Sequence, residues 1–427
     1  MRYISDLHLH SKYSRACSRD LDLEHINQWA KWKGIGLVAC ADWTHPAWLK
    51  ELKAKLVEVR PGLYQINPSF PPLEKGRNNP DSVFFMLNTE ISCIYSQGGK
   101  CRRIHLCIFV PDFTTIDKII AELEKRKVNL KADGRPIMGL SAIEVTKIVM
   151  QANPNSMVIP AHAWTPWFSV FGSYSGFDSL EECFGSEAKN IFAIETGLSS
   201  DPPMNWRLSA LDKITLISNS DSHSPANLGR EANVFEIPEG ELSYDEICRI
   251  LKTKDQKRFL YTIEFFPEEG KYHADGHAKC KVSLTPEQSK KNNNLCPICK
   301  KPLTIGVLNR VAALADRPAG FQSEMIGYKS LVPLQEIIAE SYGVGKKSKK
   351  VQKTYFDLIA KAGSEFGLLL DVADAELENF CGPQIALGIK NVRENKVRPT
   401  AGYDGVYGII KVFSDELKKK KGQKSLF

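Results

Sequence analysis

The sequence has no uncharged apolar run approaching the roughly 18–20 residues a membrane-spanning helix needs. Its first ten residues, MRYISDLHLH, place charges and histidines where a secretory leader would be apolar. These two absences predict a cytoplasmic chain with no membrane partner. No internal repeat is present, so no repeat architecture is expected. Eleven cysteines among 427 residues are too few and too scattered for a disulfide framework in a cytosolic chain. Apolar residues are not scarce: at 43% hydrophobic, the chain can bury a core, and disorder is excluded as its main state. At roughly 150 residues per domain, the length suggests two or three domains.

The net charge of +7 is modest but unevenly placed. Residues 271–353 hold 15 Lys and Arg against 6 Asp and Glu, and a further run, Lys418 to Lys421 with Lys424, ends the chain. Localised positive charge points to a polyanionic partner, most often nucleic acid. A nucleoid-associated location follows from that reading.

Short β-branched runs alternate with helical patterns over the first 265 or so residues. Strands are expected at 3–7, 37–41, 83–87, 104–110, 157–161, 191–195 and 215–219. Helices are expected at 23–33, closed by Gly34, and at 142–151, opened by the capping box of Ser141 and Glu144. Strands separated by helices imply parallel pairing in an α/β sheet or barrel. The character changes near residue 270, to a Lys/Asn-rich segment with clustered Cys and His. Helical patterns then follow at 305–316, 334–342, 352–366 and 375–392, with a Gly/Tyr-rich stretch at 401–410. The organisation expected is a barrel domain over 1–268, a small metal-binding module over 269–304, and a helical domain with a basic tail over 305–427.

Six of the seven histidines in the first 270 residues fall at strand ends, together with acidic residues. His8 and His10 lie two apart and so project from one face of a strand. Asp42 and His45 follow the second strand and Glu90 the third; His105 begins the next, and His162 ends the run 157–161. Asp221 and His223 again share an i, i+2 face. Such carboxylates and imidazoles converging in a sheet mouth would repel or stay unpaired unless cations sat between them. Nitrogen and oxygen ligands without thiolate favour Zn, Mn, Fe or Mg. The ligands are too many for one four-coordinate ion, so two to three divalent ions are expected, an arrangement suited to phosphoester hydrolysis.

This pattern (DxHxH, D-x-x-H, a lone Glu, a lone His, AH, and S-D-S-H) resembles the polymerase and histidinol phosphatase (PHP) superfamily. The resemblance implies a distorted β/α barrel with a trinuclear site. It implies that His8, His10, Glu90 and Asp221 surround one ion, that Glu90 bridges to a second held by His105 and His162, and that His45, His223 and Asp42 serve a third. Asp221, Glu90 and His223 are the residues expected to carry the hydrolysis. About eight residues after the first His, where the superfamily often supplies another ligand, this chain reads Ser14-Arg15-Ala16-Cys17-Ser18.

A second constellation, His277-x2-Cys280 and, 15 residues on, Cys296-Pro-Ile-Cys299, has zinc-ligand spacing for one structural Zn. His273 is an alternative fourth ligand. The stretches YHADGHAKC (272–280), CPIC (296–299) and LTIGVLNRVAALADRP (303–318), behind a PHP-type barrel, resemble the endonuclease Q family over essentially the whole chain. That resemblance implies a DNA-repair endonuclease cutting 5′ to deaminated bases (uracil, hypoxanthine, xanthine) and abasic sites in double-stranded DNA, as a monomer.

A Gly-Val-Gly-Lys-Lys-Ser-Lys-Lys run places Lys346, Lys347, Lys349 and Lys350 at a helix junction, where they would grip phosphates. Reading a damaged base generally requires extruding it from the helix. Trp164, Trp167, Phe168 and Phe171, in the loop after His162, are candidates for a stacking wall or wedge, and Glu195 and Asp201 for hydrogen bonds to the substrate or the metal water. The terminal 422–427 resembles a sliding-clamp-binding tail without its second aromatic. Two other readings are a small-molecule PHP phosphatase and a non-enzymatic DNA-binding adaptor.

Overall fold

Strand 3–7 begins the sheet as expected, and its neighbours define how the chain closes around it. A computed structural model describes residues 1–70, 83–322 and 325–413; the lysine run 418–421, Lys424 and the tail 422–427 lie outside the described residues. In chain order the strands are β1 (Arg2–Asp6), β2 (Leu37–Ala39), β3 (Leu56–Arg60), β4 (Leu63–Ile66), β5 (Phe84–Met86), β6 (Asn88–Gln97), β7 (Lys100–Phe109), β8 (Ile137–Met138) and β9 (Met157–Pro160). They continue with β10 (Ala193–Glu195), β11 (Thr215–Ile217), β12 (Ala232–Glu236), β13 (Phe259–Glu264), β14 (Asp275–His277), β15 (Val282–Leu284), β16 (Gly327–Ser330), β17 (Arg398–Thr400) and β18 (Ile409–Lys411). No helix among the described residues is long and apolar enough to cross a membrane.

All seven expected strands are present. The longest sheet has the order β16-β13-β12-β1-β2-β5-β4-β3, and a second runs β8-β6-β7-β9, with β10 and β11 a separate parallel pair. Pairing is not purely parallel, which corrects the sequence expectation. β1, β2 and β5 run parallel, whereas β12 pairs antiparallel with both β1 and β13. β6 and β7 are joined by the two-residue turn Gly98–Gly99 and pair antiparallel along their whole length, because a tight hairpin leaves no room for a crossover.

The strands do not form one continuous ladder. Where ladders end, buried asparagines stitch neighbouring strand ends together. Asn88 accepts from Ala41 N and donates to Leu7 O. Asn219 accepts from Leu7 N, and Asn233 bonds both the N–H and the carbonyl of Ser218. These bonds satisfy backbone groups that would otherwise be buried unpaired, and they draw the carboxyl ends of the strands into one polar mouth.

The helix Leu23–Lys33 ends at Gly34 in a left-handed cap, and Ala142–Ala152 carries its full capping box. Helices Leu334–Tyr342, Lys349–Ala362 and Pro383–Arg393 form the C-terminal part. This part is joined to the α/β layer through a buried interface. β16 extends the main sheet by pairing parallel with β13. Lys33 and Glu365 form a buried ion pair at 2.6 Å, and Trp29 and Trp32 pack on Tyr355 and Phe356. The 303–318 stretch is a strut. Arg310 in the helix Val307–Leu314 donates to the Phe171 and Phe177 carbonyls and to Asp178. Asp275 in β14 accepts from Gly306 N and from Asn309.

Candidate metal centre

Glu90 organises the mouth. It is the third residue of β6, a strand that the sequence reading missed, and it is fully buried. Its two oxygens face different partners. Oε1 lies 2.8 Å from His105 Nδ1 and 3.2 Å from His162 Nε2. Oε2 lies 3.3 Å from His10 Nε2 and 3.6 Å from His8 Nε2. The ligating atoms of His8, His10 and Glu90 lie within 4.8 Å of one another, as do those of Glu90, His105 and His162, and those of His10, Asp221 and His223. Glu90 is shared by two groups and His10 by two.

Sharp backbone turns deliver these side chains. Asp42, His162 and Asp221 all adopt positive φ, at 40°, 31° and 45°. Each such residue costs on the order of 1–3 kcal/mol, which marks the strand ends as places where function overrides backbone preference. Gly197 is required beside them: its φ is 64°, and a Cβ there would overlap His162.

Each imidazole points one ring nitrogen inward and has the other held by an oxygen. His8 Nδ1 faces Glu195 at 3.0 Å, and His10 Nδ1 faces Asp42 at 3.2 Å. His105 Nε2 meets Ser92 Oγ at 3.1 Å, His162 Nδ1 meets Ser169 Oγ at 3.2 Å, and His223 Nδ1 meets the Asp221 carbonyl at 2.8 Å. That outer shell fixes ring orientation and tautomer, as metal-ligating histidines require. His8 Nε2 is buried with no hydrogen-bond partner. A buried nitrogen aimed at two carboxylates without a bond of its own fits a cation, so this donor set is built for divalent metal ions.

The electrostatics agree. Burial opposes charging His8, but Cys107, Glu195 and Glu90 outweigh it and hold the imidazole well above its ordinary value. Burial likewise works against ionised Asp221 and Glu90, yet His10, His8 and His223 hold Asp221 well below the carboxylate range. His105, Arg135 and His8 do the same for Glu90. The site therefore demands positive charge between its carboxylates. Burial, acting against the pull of Glu90, pushes His105 down to about 4, which favours the uncharged ring that binds a cation.

Several expected roles change. Asp42 and His45 enter no ligand group with His223 among the described residues. Asp42 instead holds His10 from behind, its other oxygen accepting from Ser11 N at 2.6 Å and from Ser11 and Ser14 hydroxyls at 2.7 Å. His45 opens the helix Pro46–Lys55 and stacks on Tyr13 at 4.4 Å, with its Nδ1 buried and without a hydrogen-bond partner. Glu195 is not a substrate contact. Buried beneath His8, it accepts from His8, His162 N and Asn219. Asp201 caps the turn Pro202–Asn205 through Met204 N. Trp164 and Phe171 are core residues: Trp164 donates to Asn205 and packs on Phe171, and both are buried.

Trp167 and Phe168 do line the mouth. Trp167 stacks on Tyr174 at 4.8 Å and Phe168 packs on His105 at 4.7 Å. Both border a cavity of about 1210 Å³ that is also lined by His105, His162, Asp221, Lys346 and Lys347. Lys349 and Lys350 begin the next helix and do not line it. Sequence reading missed Arg135, whose Nη1 lies 2.9 Å from Glu90 Oε2; a lone arginine in a loop carries no local signal. It also missed the cavity residues Arg230, Lys271 and Tyr407.

In the second constellation, His277, Cys280, Cys296 and Cys299 bring their ligating atoms within 4.8 Å of one another. The β14–β15 hairpin carries His277 to this cluster, whereas His273 is buried outside it. That chooses His277 as the fourth member.

Residues 333–396 match the MJ0043 C-terminal domain. The uncharacterized protein MJ0043 of Methanocaldococcus jannaschii is 33% identical over 251 residues, 58% of this chain; the match spans only 31% of that longer protein. The lesion-specific endonuclease PfuEndoQ of Pyrococcus furiosus superposes with a TM-score of 0.84 at 29% identity, covering 100% of both chains. Endonuclease Q in complex with a 27-mer duplex carrying an abasic lesion at the active site superposes with a TM-score of 0.83 at 30% identity, covering 98% of each chain. Shared fold over the full length and identity at that level make this chain a member of the endonuclease Q family.

Proposed function

We propose that the protein is a metal-dependent DNA-repair endonuclease that nicks duplex DNA on the 5′ side of deaminated bases (uracil, hypoxanthine, xanthine) and abasic sites. The observation that carries the reading is the divided coordination of Glu90, one oxygen toward His8 and His10 and the other toward His105 and His162. Its partners His105 and His162 line a cavity that is also lined by Lys271, Lys346 and Lys347. A cavity of about 1210 Å³ exceeds the ~300–1,000 Å³ of ordinary small-ligand pockets. Both rival readings fit this arrangement less well. A small phosphoester would leave most of the cavity unused, and an adaptor would have no need of so complete a ligand set.

Two to three divalent ions, Zn, Mn or Mg, would be held by His8, His10, Glu90, His105, His162, Asp221 and His223. Bound there, they supply charge that activates the attacking water and stabilises the leaving oxygen. The protein's own residues position the chemistry. Glu195 and Asp42 lock the His8 and His10 rings. Arg135 lies beside Glu90, at hand for a phosphate oxygen, and Lys346 and Lys347 hold the backbone across the cavity. Trp167 and Phe168 offer ring faces to an unstacked base. The products would carry 3′-hydroxyl and 5′-phosphate ends.

The test uses end-labelled duplexes bearing uracil, hypoxanthine, an abasic site or no lesion, incubated with divalent ions and with chelator. Metal-dependent nicking restricted to damaged strands is expected. Equal cutting of the undamaged duplex, or release of phosphate from histidinol phosphate with no nicking, would refute the reading.

A further inference from the structure

The loop between β17 and β18 is absorbed by neither the metal centre nor the zinc cluster, yet it reaches the same cavity. The loop exposes Val406 at 41% and Tyr407 at 68%, and Ile409, which opens β18 behind it, is exposed at 58%. Single exposed apolar residues are ordinary, but neighbouring ones on one tip mark a contact surface. Tyr407 and Ile409 border the cavity that holds His105, His162 and Asp221, together with Lys271, Lys346 and Lys347. The Lys271 ammonium sits 4.5 Å from the Tyr407 ring centre. An apolar tip with an ammonium group against its ring, in a cavity that also holds Lys346 and Lys347, suits a nucleic acid, with apolar bases inside and phosphates outside.

The tip is also rigid, fixed from two sides. Where the barrel segment ends, Gly402 N donates to Glu268 O, and just beyond it Gly408 N donates to Glu269 O and Gly405 N to Lys271 O. Gly408 is required by this close approach, since a Cβ there would overlap the Glu268 carbonyl oxygen. Toward the zinc module, Asp404 accepts from Ala278 N and from the Thr304 hydroxyl, both at 2.6 Å. Tyr403 and Val406 exchange both backbone bonds across the turn. A segment held this way loses little conformational freedom when it is inserted into a partner.

We propose that the 401–410 loop is a preformed wedge, with Tyr407 as its leading edge and Ile409 behind it. It enters the base stack of duplex DNA beside the scissile phosphodiester and fills the gap left when the damaged nucleotide leaves the helix. This rests on the DNA-endonuclease reading above and adds the element that opens the stack. The module that carries the zinc ligands then has a second task, as the outer buttress of the wedge through Asp404.

The experiment compares the full-length metal-loaded protein with Tyr407→Ala and Tyr407→Phe. One substrate carries uracil in a fully paired duplex; the other carries the same uracil inside three consecutive mismatches, where the stack is already open. Tyr407→Ala is expected to slow nicking of the paired duplex at least tenfold and of the mismatched duplex less than threefold. Tyr407→Phe keeps the ring and restores the paired rate to within about twofold. As a second readout, 2-aminopurine placed beside the uracil should brighten when the wild type or Tyr407→Phe binds in chelator, and not when Tyr407→Ala binds. Equal slowing on both duplexes, or none on either, would overturn the wedge. Absence of nicking by the wild type on both would instead overturn the endonuclease reading itself.

Discussion

Glu195→Gln offers a demanding test of the metal centre, because it removes one charge and almost no volume. The Glu195 carboxylate is surrounded only by donors. Oε1 lies 2.8 Å from Asn219 Nδ2 and 3.1 Å from His8 Nδ1; Oε2 lies 2.8 Å from the His162 backbone N and 3.0 Å from the same His8 nitrogen. A glutamine must turn its NH2 toward one end, and both ends meet an N–H. Asn219 cannot flip to accept, since its own oxygen already takes Leu7 N at 2.8 Å and Asn233 Nδ2 at 3.0 Å. The His162 end is backbone and cannot turn at all. One buried donor is therefore left facing another, at a cost of about 1–3 kcal/mol in stability. His8 also loses the charged acceptor that fixes its tautomer.

Loss of such an outer-shell partner typically weakens metal binding ~10–100-fold, or about 1.4–2.7 kcal/mol. Competition against a fluorescent chelator gives the affinity, and denaturant melts of the metal-free protein give the stability. Both should fall, and nicking at limiting metal should fall with them and recover partly at high metal. Affinity unchanged within twofold would refute the assignment of Glu195 as the residue that positions His8.

Other outcomes follow from the same geometry. Asp221→Asn should reduce nicking by at least about 10³-fold, because it removes charge from a ligand group at the reacting centre, while lesion-duplex binding in chelator persists; retained activity would remove Asp221 from the machinery. Cys299→Ser should lower zinc content by one equivalent and open the 271–303 segment to protease, since so short a segment depends on its ion to fold; full zinc retention would count against the cluster. Lys347→Ala should reduce the slope of log binding constant against log salt by about 1, as expected for one phosphate contact, with an unchanged slope removing this lysine from the interface. Glu264 faces Glu231 one step beyond the Ala232–Ile263 pair. Burial pushes Glu264 up to about 8 from an ordinary 4.5, and burial with the Glu264 and Glu195 charges raises Glu231. The folded state then keeps a proton that the unfolded chain releases above about pH 4.5, so stability falls as pH climbs toward 8. Glu264→Gln should flatten that fall in denaturant melts at pH 5, 6.5 and 8; an unchanged pH slope would refute it.

What could be read from the sequence separates by range. His8-Leu9-His10 and Asp221-Ser222-His223 declare themselves because each is a local pair just past a strand end, and an isolated bridge between Leu9 and Ser222 brings the pairs together: His10 N bonds Ser222 O at 3.1 Å. The zinc cluster was legible for the same reason, each half being a local pair. The choice between His273 and His277 was not, because the direction in which the β14–β15 hairpin turns its first strand decides it. The surroundings of Asp42 and His45 were not legible for a related reason. Three residues apart, they look like a pair, but Asp42 is tied down by Ser11 and Ser14 from another segment while Tyr13 captures the His45 ring. Sequence spacing does not encode which long-range partner arrives first.

The same limit explains Glu195, and it carries a consequence for reading sites of this kind. Its position at a strand end, among small polar residues, suggested a group open to substrate. In the fold it lies under His8, and its acceptor capacity is consumed by three donors from three different segments. A carboxylate at a strand end belongs to the reacting surface only if some of its lone pairs remain unused, and that count depends on the asparagines that close the strand ends. Asn88, Asn219 and Asn233 are unremarkable in sequence. They satisfy the backbone where the ladders stop, and in doing so Asn219 also commits Glu195 to the interior. Ligands could be recognised from residue type and periodicity because coordination chemistry is local. The residues that make them ligands are set by how the ends of the sheet are closed, and that is decided by the whole chain.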